Sequence, residues 1–262
     1  MAEAFGSDAA RYDRARPRYP DAMVAAIVAG SPGPDVLDVG CGTGIAARQF
    51  QAAGCRVLGV DVDARMAELA RRGGLDAEVA AFEAWDPAGR DFDAVVAGQT
   101  WHWLDPVAGA AKAAQALRPG GRLAAFWNVG QPPPDVAEAT ATACRRVMPD
   151  APFNSPATTQ ALAGYQAFFT KAADGIRQSG RFGAPQQWQF DWEYSYTRAA
   201  WLDQLPTQGA FTRLPPDKLA EVLEEVGSAI DARGGSFTMA YATVVVTATR
   251  TDTERAGAAG PG

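Results

Sequence analysis

The stretch VLDVGCGTG, residues 36–44, decides the fold of this 262-residue chain. Its first half is a short apolar run of the kind that forms a buried strand. Its second half spaces Gly40, Gly42 and Gly44 over a turn that opens a helix-like stretch at 45–53. Glycine tolerates positive φ and lets the backbone approach a ligand closely. The helix N-terminus behind the turn presents N–H groups without intrahelical partners, which suit a carboxylate or a phosphate. The spacing is G-x-G-x-G, and Ile45 stands where a dinucleotide fingerprint carries its third glycine. No GK[ST] follows, which excludes a P-loop. Asp38, two residues before the first glycine, would repel a pyrophosphate but suits an ammonium. The turn therefore favours a nucleoside ligand with an amino acid end.

Outward from this turn, strand-like and helix-like segments alternate. RVLGVD (56–61) reads as a second strand ending in Asp61, where an acid can accept both hydroxyls of a ribose. Further strands are expected at 76–81, 92–98 (FDAVVAG) and 122–128 (RLAAFWN), and helices at 64–72 and 107–117. The second of these helices stops at Pro119-Gly120-Gly121. Such alternation implies a parallel sheet with helices on both faces, and right-handed crossovers make it doubly wound. The alternative is that Asp38 only caps a turn and Asp61 only caps the next helix.

After Asn128 the pattern changes. A proline run at 132–134 leads into a helix at 135–147, and residues 150–185 read as irregular and mixed, with Phe153, Tyr165, Phe168 and Phe169. Alternating aromatics at 187–196 fit an antiparallel strand with one exposed face. Helices are expected at 198–205 and 216–233, then a long β-branched strand at 237–249. Residues 252–262 are small, polar and glycine-rich and read as disordered.

The net charge is −6 and the pI about 4.9, the opposite of the balance expected for a phosphate-backbone binder, so no nucleic acid partner is expected. No apolar run approaches the ~20 residues of a membrane span. The arginines between Arg11 and Arg18 are interrupted by Asp13 and follow Glu3 and Asp8, unlike a transit peptide. A cytoplasmic protein without a membrane partner is the expectation. Cys41, Cys55 and Cys144 are odd in number and show no CxxC spacing, so neither a disulfide framework nor a zinc site is indicated.

The chain resembles the class I S-adenosylmethionine-dependent methyltransferases. VLDVGCGTG is similar to their first motif, and VLGVDVDARM (57–66) to the second-strand motif that ends in a ribose-binding acid. FDAVVAGQTWHW (92–103) and LRPGGRLAAFWN (117–128) are similar to the motifs around the fourth and fifth strands. AARYDRARPRYP (9–20) resembles the segment that covers the cofactor in one small-molecule branch, and residues 205–246 resemble the C-terminal part of that branch. The resemblance implies an α/β fold: a doubly wound, seven-stranded Rossmann-like sheet with an antiparallel last strand and an inserted helical cap. The organisation it implies is an N-terminal segment covering the cofactor (1–30) and a cofactor-binding core (31–130). A helical cap and acceptor region with one strand (131–235), a last core strand (236–250) and a disordered tail (251–262) follow.

By the same resemblance the cofactor is S-adenosylmethionine. Asp38, Gly40, Cys41, Gly42 and Gly44 would surround its methionine end, Asp61 its ribose, and Val62 and Met66 its adenine. Ala81, Phe82 and Glu83 would meet the adenine edge, and Gln99 would line the pocket. Many relatives carry Asp where this chain has Ala81, which leaves the amino-group contact to the Phe82 backbone or Glu83. The bland reading of Met66 and Phe82 is core packing.

His102 is the sole histidine and lies just past the fourth strand, where doubly wound folds place their sites. Its ordinary pKa suits base work near neutrality. It is the candidate base for a hydroxyl acceptor; a carboxylate acceptor needs no base. His-Trp recurs here in relatives with differing acceptors, so a role in holding the pocket stands beside the catalytic one. His102, Trp103, Trp127 and Asn128 are the expected acceptor-facing residues. Trp188, Trp192, Tyr194, Tyr196 and Trp201 add aromatic surface in the cap, and Arg177 and Arg181 either meet an anion or are solvated. The Asn/Asp-Pro-Pro-aromatic turn of nucleobase amino methylation is replaced by Ala97-Gly98-Gln99-Thr100. No carboxylate and histidine cluster calls for a metal.

The expected activity is methylation of a small polar acceptor at a hydroxyl oxygen, for instance on a sugar such as a mannoside or a short oligosaccharide. A carboxylate O-methyltransferase of trans-aconitate type is the rival. A non-catalytic regulator that binds S-adenosylmethionine or its demethylated product is the alternative of another class. A nicotinamide oxidoreductase is disfavoured by Ile45. Monomer and homodimer both stay open.

Overall fold

The structure is a computed structural model and describes residue 6, residues 8–149 and residues 161–251. The tail expected to be disordered (252–262) and Phe153 lie outside the described residues. Helices α1 (Ala9–Ala15) and α2 (Asp21–Ala29) precede β1 (Asp35–Val39), followed by α3 (Ile45–Ala52), β2 (Arg56–Asp61), α4 (Ala64–Arg72) and β3 (Asp76–Val79). The chain continues through β4 (Phe92–Gly98), α5 (Pro106–Ala116), β5 (Leu117–Gln131), α6 (Pro134–Val147) and α7 (Ala161–Ser179). It closes with β6 (Gln186–Thr197), α8 (Arg198–Gln204), α9 (Pro216–Ala232) and β7 (Ser236–Thr249).

The seven strands form one sheet in the order β3-β2-β1-β4-β5-β7-β6. The first five are parallel, and β7 runs antiparallel to both β5 and β6. The chain winds outward from β1 to β3 and then returns to β4 on the other side. The switch point between β1 and β4 is where such sheets open a crevice at the strand carboxyl ends.

Alternating side chains on the strands feed two cores. Leu37, Val39, Val95, Ala97 and Trp127 pack under α5 and α7, while Val36, Val96 and Phe126 pack under α2 and α3 with Met23, Ile27 and Phe50. A third cluster joins Val136 and Cys144 of α6, Trp201 of α8, Val226 of α9 and Phe237 and Tyr241 of β7. On β6, Trp188, Phe190 and Trp192 are half-buried and alternate with exposed residues, the pattern of an edge strand with one covered face.

Two local expectations are corrected. Part of the stretch read as irregular is the 19-residue helix α7, which lays Phe169, Ala172 and Ile176 against the sheet. Its contact with α5 needs Gly175, where a Cβ would come within 2.4 Å of the Pro106 carbonyl oxygen. Pro119-Gly120-Gly121 does not end α5, which stops at Ala116: β5 begins at Leu117 and passes through the prolyl-glycyl segment with a register shift against β4. Among the described residues no helix is long and apolar enough to cross a membrane.

Candidate active site

The glycine turn leaves β1 at Val39 and is held against β2, with the Gly40 and Cys41 N–H groups donating to the Val60 carbonyl (2.7 and 3.2 Å). Gly40 has φ +64°, and a Cβ there would stand 2.2 Å from the Thr100 methyl carbon. Only glycine meets both demands. Gly42 (φ +54°) presents its N–H to Asp61 Oδ2 at 2.8 Å, and the Asp63 N–H reaches Oδ1 at 2.8 Å. The Asp61 carboxylate is therefore fixed in orientation with acceptor capacity to spare on both oxygens.

Asp38 is buried and its Oδ2 has no hydrogen-bond partner; the Thr43 hydroxyl beside the turn has none either. Burial first, and the nearby Asp61 charge second, push the Asp38 carboxyl up to about 8. Burial also raises Asp61. Two desolvated carboxyl groups facing one cavity fit a ligand that brings an ammonium to one and hydroxyl donors to the other. The residues present thus fit S-adenosylmethionine.

Above the turn lies a cavity of about 830 Å³. Asp38, Gly40, Cys41, Gly42, Asp61, Val62, Met66, Ala81, Phe82, Glu83 and Gln99 all line it, with His102, Trp103 and Asn128. Gly44 is off this wall: it adopts φ +86° as the residue that starts α3. Gln99 is held by its own contacts, its N–H donating to the Phe126 carbonyl (2.8 Å) and its side chain to the Asn128 carbonyl (3.0 Å). Glu83 accepts from the Asp105 N–H at 3.3 Å. Trp103 stands exposed at the rim.

His102 stacks on Phe168, with ring centroids 4.7 Å apart, and its Nδ1 accepts a hydrogen bond from Trp127 Nε1 at 3.1 Å. Burial, and then the charge of Lys171, lower its pKa to about 4. The ring is neutral near pH 7 with its proton on Nε2, and its one lone-pair nitrogen is taken. Trp127, expected against the acceptor, is fully buried and off the cavity wall: it is the strand residue behind His102. Asn128 accepts from the Thr243 hydroxyl (2.6 Å) and donates to the Arg18 carbonyl (3.1 Å), clasping the N-terminal segment to β7.

The far half of the cavity is built from residues to which sequence reasoning gave no individual site role. Tyr12, Arg16 and Tyr19 come from the N-terminal segment, Thr140 and Cys144 from α6, Tyr165 from α7, Gln204 from α8, and Leu205, Phe211, Met239 and Tyr241 from the segments beyond. Helix α1 is pinned over this half, with Arg11 and Arg14 both on Asp203 (2.9 Å each) and Asp13 on Arg48 (2.6 Å). The run of charges in residues 9–20 was the signal for these anchors. Of the cap aromatics, Trp201 lines the cavity, while Trp192 stacks on Tyr241 from behind and donates to the Thr243 hydroxyl (2.8 Å). Arg177 is exposed and paired with Asp174 (2.6 Å), and neither it nor Arg181 lines the cavity. Among the described residues no group of three or more His, Cys, Asp or Glu is placed to hold a metal ion.

A family model described as a methyltransferase domain matches residues 36–121. An uncharacterized methyltransferase from Mycobacterium tuberculosis is 35% identical over 131 residues, 49% of this chain and 53% of that protein. A malonyl-[acyl-carrier protein] O-methyltransferase from Enterobacter lignolyticus is 36% identical over 130 residues, 47% of this chain and 51% of that protein. The chain thus spans about half the length of the curated relatives it matches. Among solved structures, a protein from Anaeromyxobacter dehalogenans assigned as a type II methyltransferase shares the fold, with a TM-score of 0.63 and 23% identity over 89% of this chain and 97% of that one. Residues 36–121, with the glycine turn, thus match a methyltransferase domain, and the seven-stranded sheet has the fold of the Anaeromyxobacter protein.

Proposed function

We propose that the protein methylates a carboxylate oxygen of a small acceptor held in the cap-side half of the cavity. S-adenosylmethionine supplies an activated methyl group on sulfur. Asp38 would hold its ammonium and Asp61 its ribose hydroxyls, with Val62, Met66 and Phe82 around the adenine. The protein's remaining work is to align the acceptor and exclude water, since close in-line placement provides much of the acceleration.

The observation that carries the choice of acceptor is the state of His102. A hydroxyl acceptor needs a base to take its proton. The His102 lone pair already receives the Trp127 N–H, and burial holds its pKa near 4. The carboxyl side chains that line the cavity, Asp38, Asp61 and Glu83, belong to its cofactor half. A carboxylate arrives deprotonated and needs none of them. Tyr165, Trp201, Leu205, Phe211 and Met239 put apolar surface on the wall of the acceptor half, beside the polar Arg16, Gln204 and Tyr241. The similarity of about half the chain to a malonyl-[acyl-carrier protein] O-methyltransferase supports oxygen as the reacting atom. A purely regulatory role fits less well, because the cavity, about 830 Å³, extends beyond the turn into the cap.

Matched acceptors test this. Carboxylic acids, alcohols and amides of the same carbon skeleton are incubated with S-adenosylmethionine, and release of S-adenosylhomocysteine is followed. The acids should turn over at least about tenfold faster than the alcohols and give alkali-labile methyl esters, a difference of ~1.4 kcal/mol in barrier. Equal or faster turnover of alcohols, giving stable ethers, would overturn the reading.

A further inference from the structure

We infer that Arg16 is the specificity-determining residue of the acceptor half, binding the acceptor's carboxylate through its buried Nε and the adjoining guanidinium edge. The inference rests on the carboxylate reading above but concerns binding, so the two can fail separately.

Arg16 differs from Arg11 and Arg14. Arg11 and Arg14 pair with Asp203, and Arg48 pairs with Asp13. Among the described residues no carboxylate lies within ion-pair distance of Arg16, although it lines the cavity and its Nε is buried without a partner. Its Nη2 donates to the Thr207 carbonyl at 2.8 Å, and its guanidinium carbon lies 4.9 Å from the centre of the Tyr12 ring. A buried guanidinium N–H left unpaired is unfavourable. The planar fork of Arg matches the two oxygens of a carboxylate.

The side chain is also held in place. Arg16 ends α1, its N–H donating to the Tyr12 carbonyl (3.0 Å), and Pro17 follows directly. The aromatic face beneath the guanidinium and the Thr207 carbonyl fix its plane. Such preorganisation reduces the ordering loss on binding.

An anion in this cavity has two sources, the acceptor and the methionine end of the cofactor. The surroundings favour the acceptor. The Thr207 contact lies in the cap turn Leu205–Thr207. The charge of Arg16 is felt at the phenols of Tyr165, Tyr196 and Tyr241 on the cap side, and at Tyr19, where it favours ionisation. The Tyr241 hydroxyl, 2.8 Å from that of Tyr196, lies on the cavity wall as a second polar contact for the same group.

The test uses full-length wild type, Arg16→Gln and Arg16→Lys. Calorimetry measures S-adenosylhomocysteine binding. Proteins saturated with S-adenosylhomocysteine are then titrated with a series of apolar monocarboxylates, butyrate to decanoate and 3-phenylpropionate, and with their amides. In the wild type at least one acid should bind better than its amide. In Arg16→Gln that preference should fall roughly tenfold or more, with S-adenosylhomocysteine affinity unchanged within about twofold. Arg16→Lys should keep part of the preference, which excludes simple unfolding. Absence of any acid-over-amide preference in the wild type would overturn the inference. A preference that survives Arg16→Gln would do the same, and if S-adenosylhomocysteine affinity drops instead, Arg16 serves the methionine carboxylate. Arg16-dependent acid binding without ester formation would leave this inference standing and remove the proposed reaction.

Discussion

Exchanging Asp61 for Ala is expected to weaken S-adenosylhomocysteine binding by about 100-fold or more. The estimate follows from two charge-assisted hydrogen bonds to ribose hydroxyls at ~1.5–3 kcal/mol each. The carboxylate is set for this task by the Gly42 and Asp63 N–H groups, each at 2.8 Å, so its loss also removes a brace from the glycine turn. The effect on folding should be smaller than the effect on binding. Two backbone N–H groups lose an acceptor, but a carboxyl group raised by burial is removed at the same time, together with its repulsion of Asp38. Calorimetry and thermal denaturation on the same preparation separate the two. An unchanged affinity would refute the ribose role.

Asp38→Asn should do the reverse to stability while weakening cofactor binding. In the ligand-free protein the Asp38 carboxyl is pushed up to about 8 from an ordinary value of 3.8. The folded state therefore holds this proton more tightly than the unfolded chain does. The contribution to stability is fully present below pH ~4 and is lost progressively as pH rises toward 8. Asn does not titrate, so the variant should be more stable than wild type at pH 8, by on the order of a few kcal/mol. The advantage should shrink toward zero near pH 4. Binding should reveal the same group: an ammonium against Asp38 favours its ionised form, so S-adenosylhomocysteine binding at pH 7 should release a proton from wild type and not from the variant. Calorimetry in buffers of different ionisation enthalpy reads this directly. Parallel melting curves of the two proteins across the whole pH range would contradict the account of Asp38.

The sheet was legible in the sequence because each inner strand is a short apolar run bounded by a turn. β2, α4 and β4 fall at the residues expected, 56–61, 64–72 and 92–98. The cofactor side was legible for a related reason: the demands on Gly40 and Asp61 are local, a positive φ, a close approach to Thr100 and a carboxyl group at a strand end. What escaped depends on partners distant in the chain. Helix α7 carries Tyr165, Phe168, Phe169, Ala172 and Ile176 at helical spacing, but aromatics and two glycines obscured the period, and only Pro106 explains Gly175. Trp127 and Asn128 are adjacent on one strand and so point to opposite faces, one behind His102 and one into the cavity. The base role expected of His102 follows from its ordinary pKa, whereas Phe168 and Trp127, which set its actual state, are 66 and 25 residues away. Arg16 sits in an arginine-rich run in which Arg11 and Arg14 make ion pairs; that its Nε has no partner among the described residues is visible only once α1 is laid across the cap.

The central claim is that the cavity above Asp38–Gly44 takes an amino acid-bearing nucleoside, and calorimetric titration of the wild-type protein with S-adenosylhomocysteine and, separately, with NADH tests it most directly. Saturable binding of S-adenosylhomocysteine in the micromolar range, with none of NADH at the same concentrations, is the predicted result. Preference for NADH would contradict it.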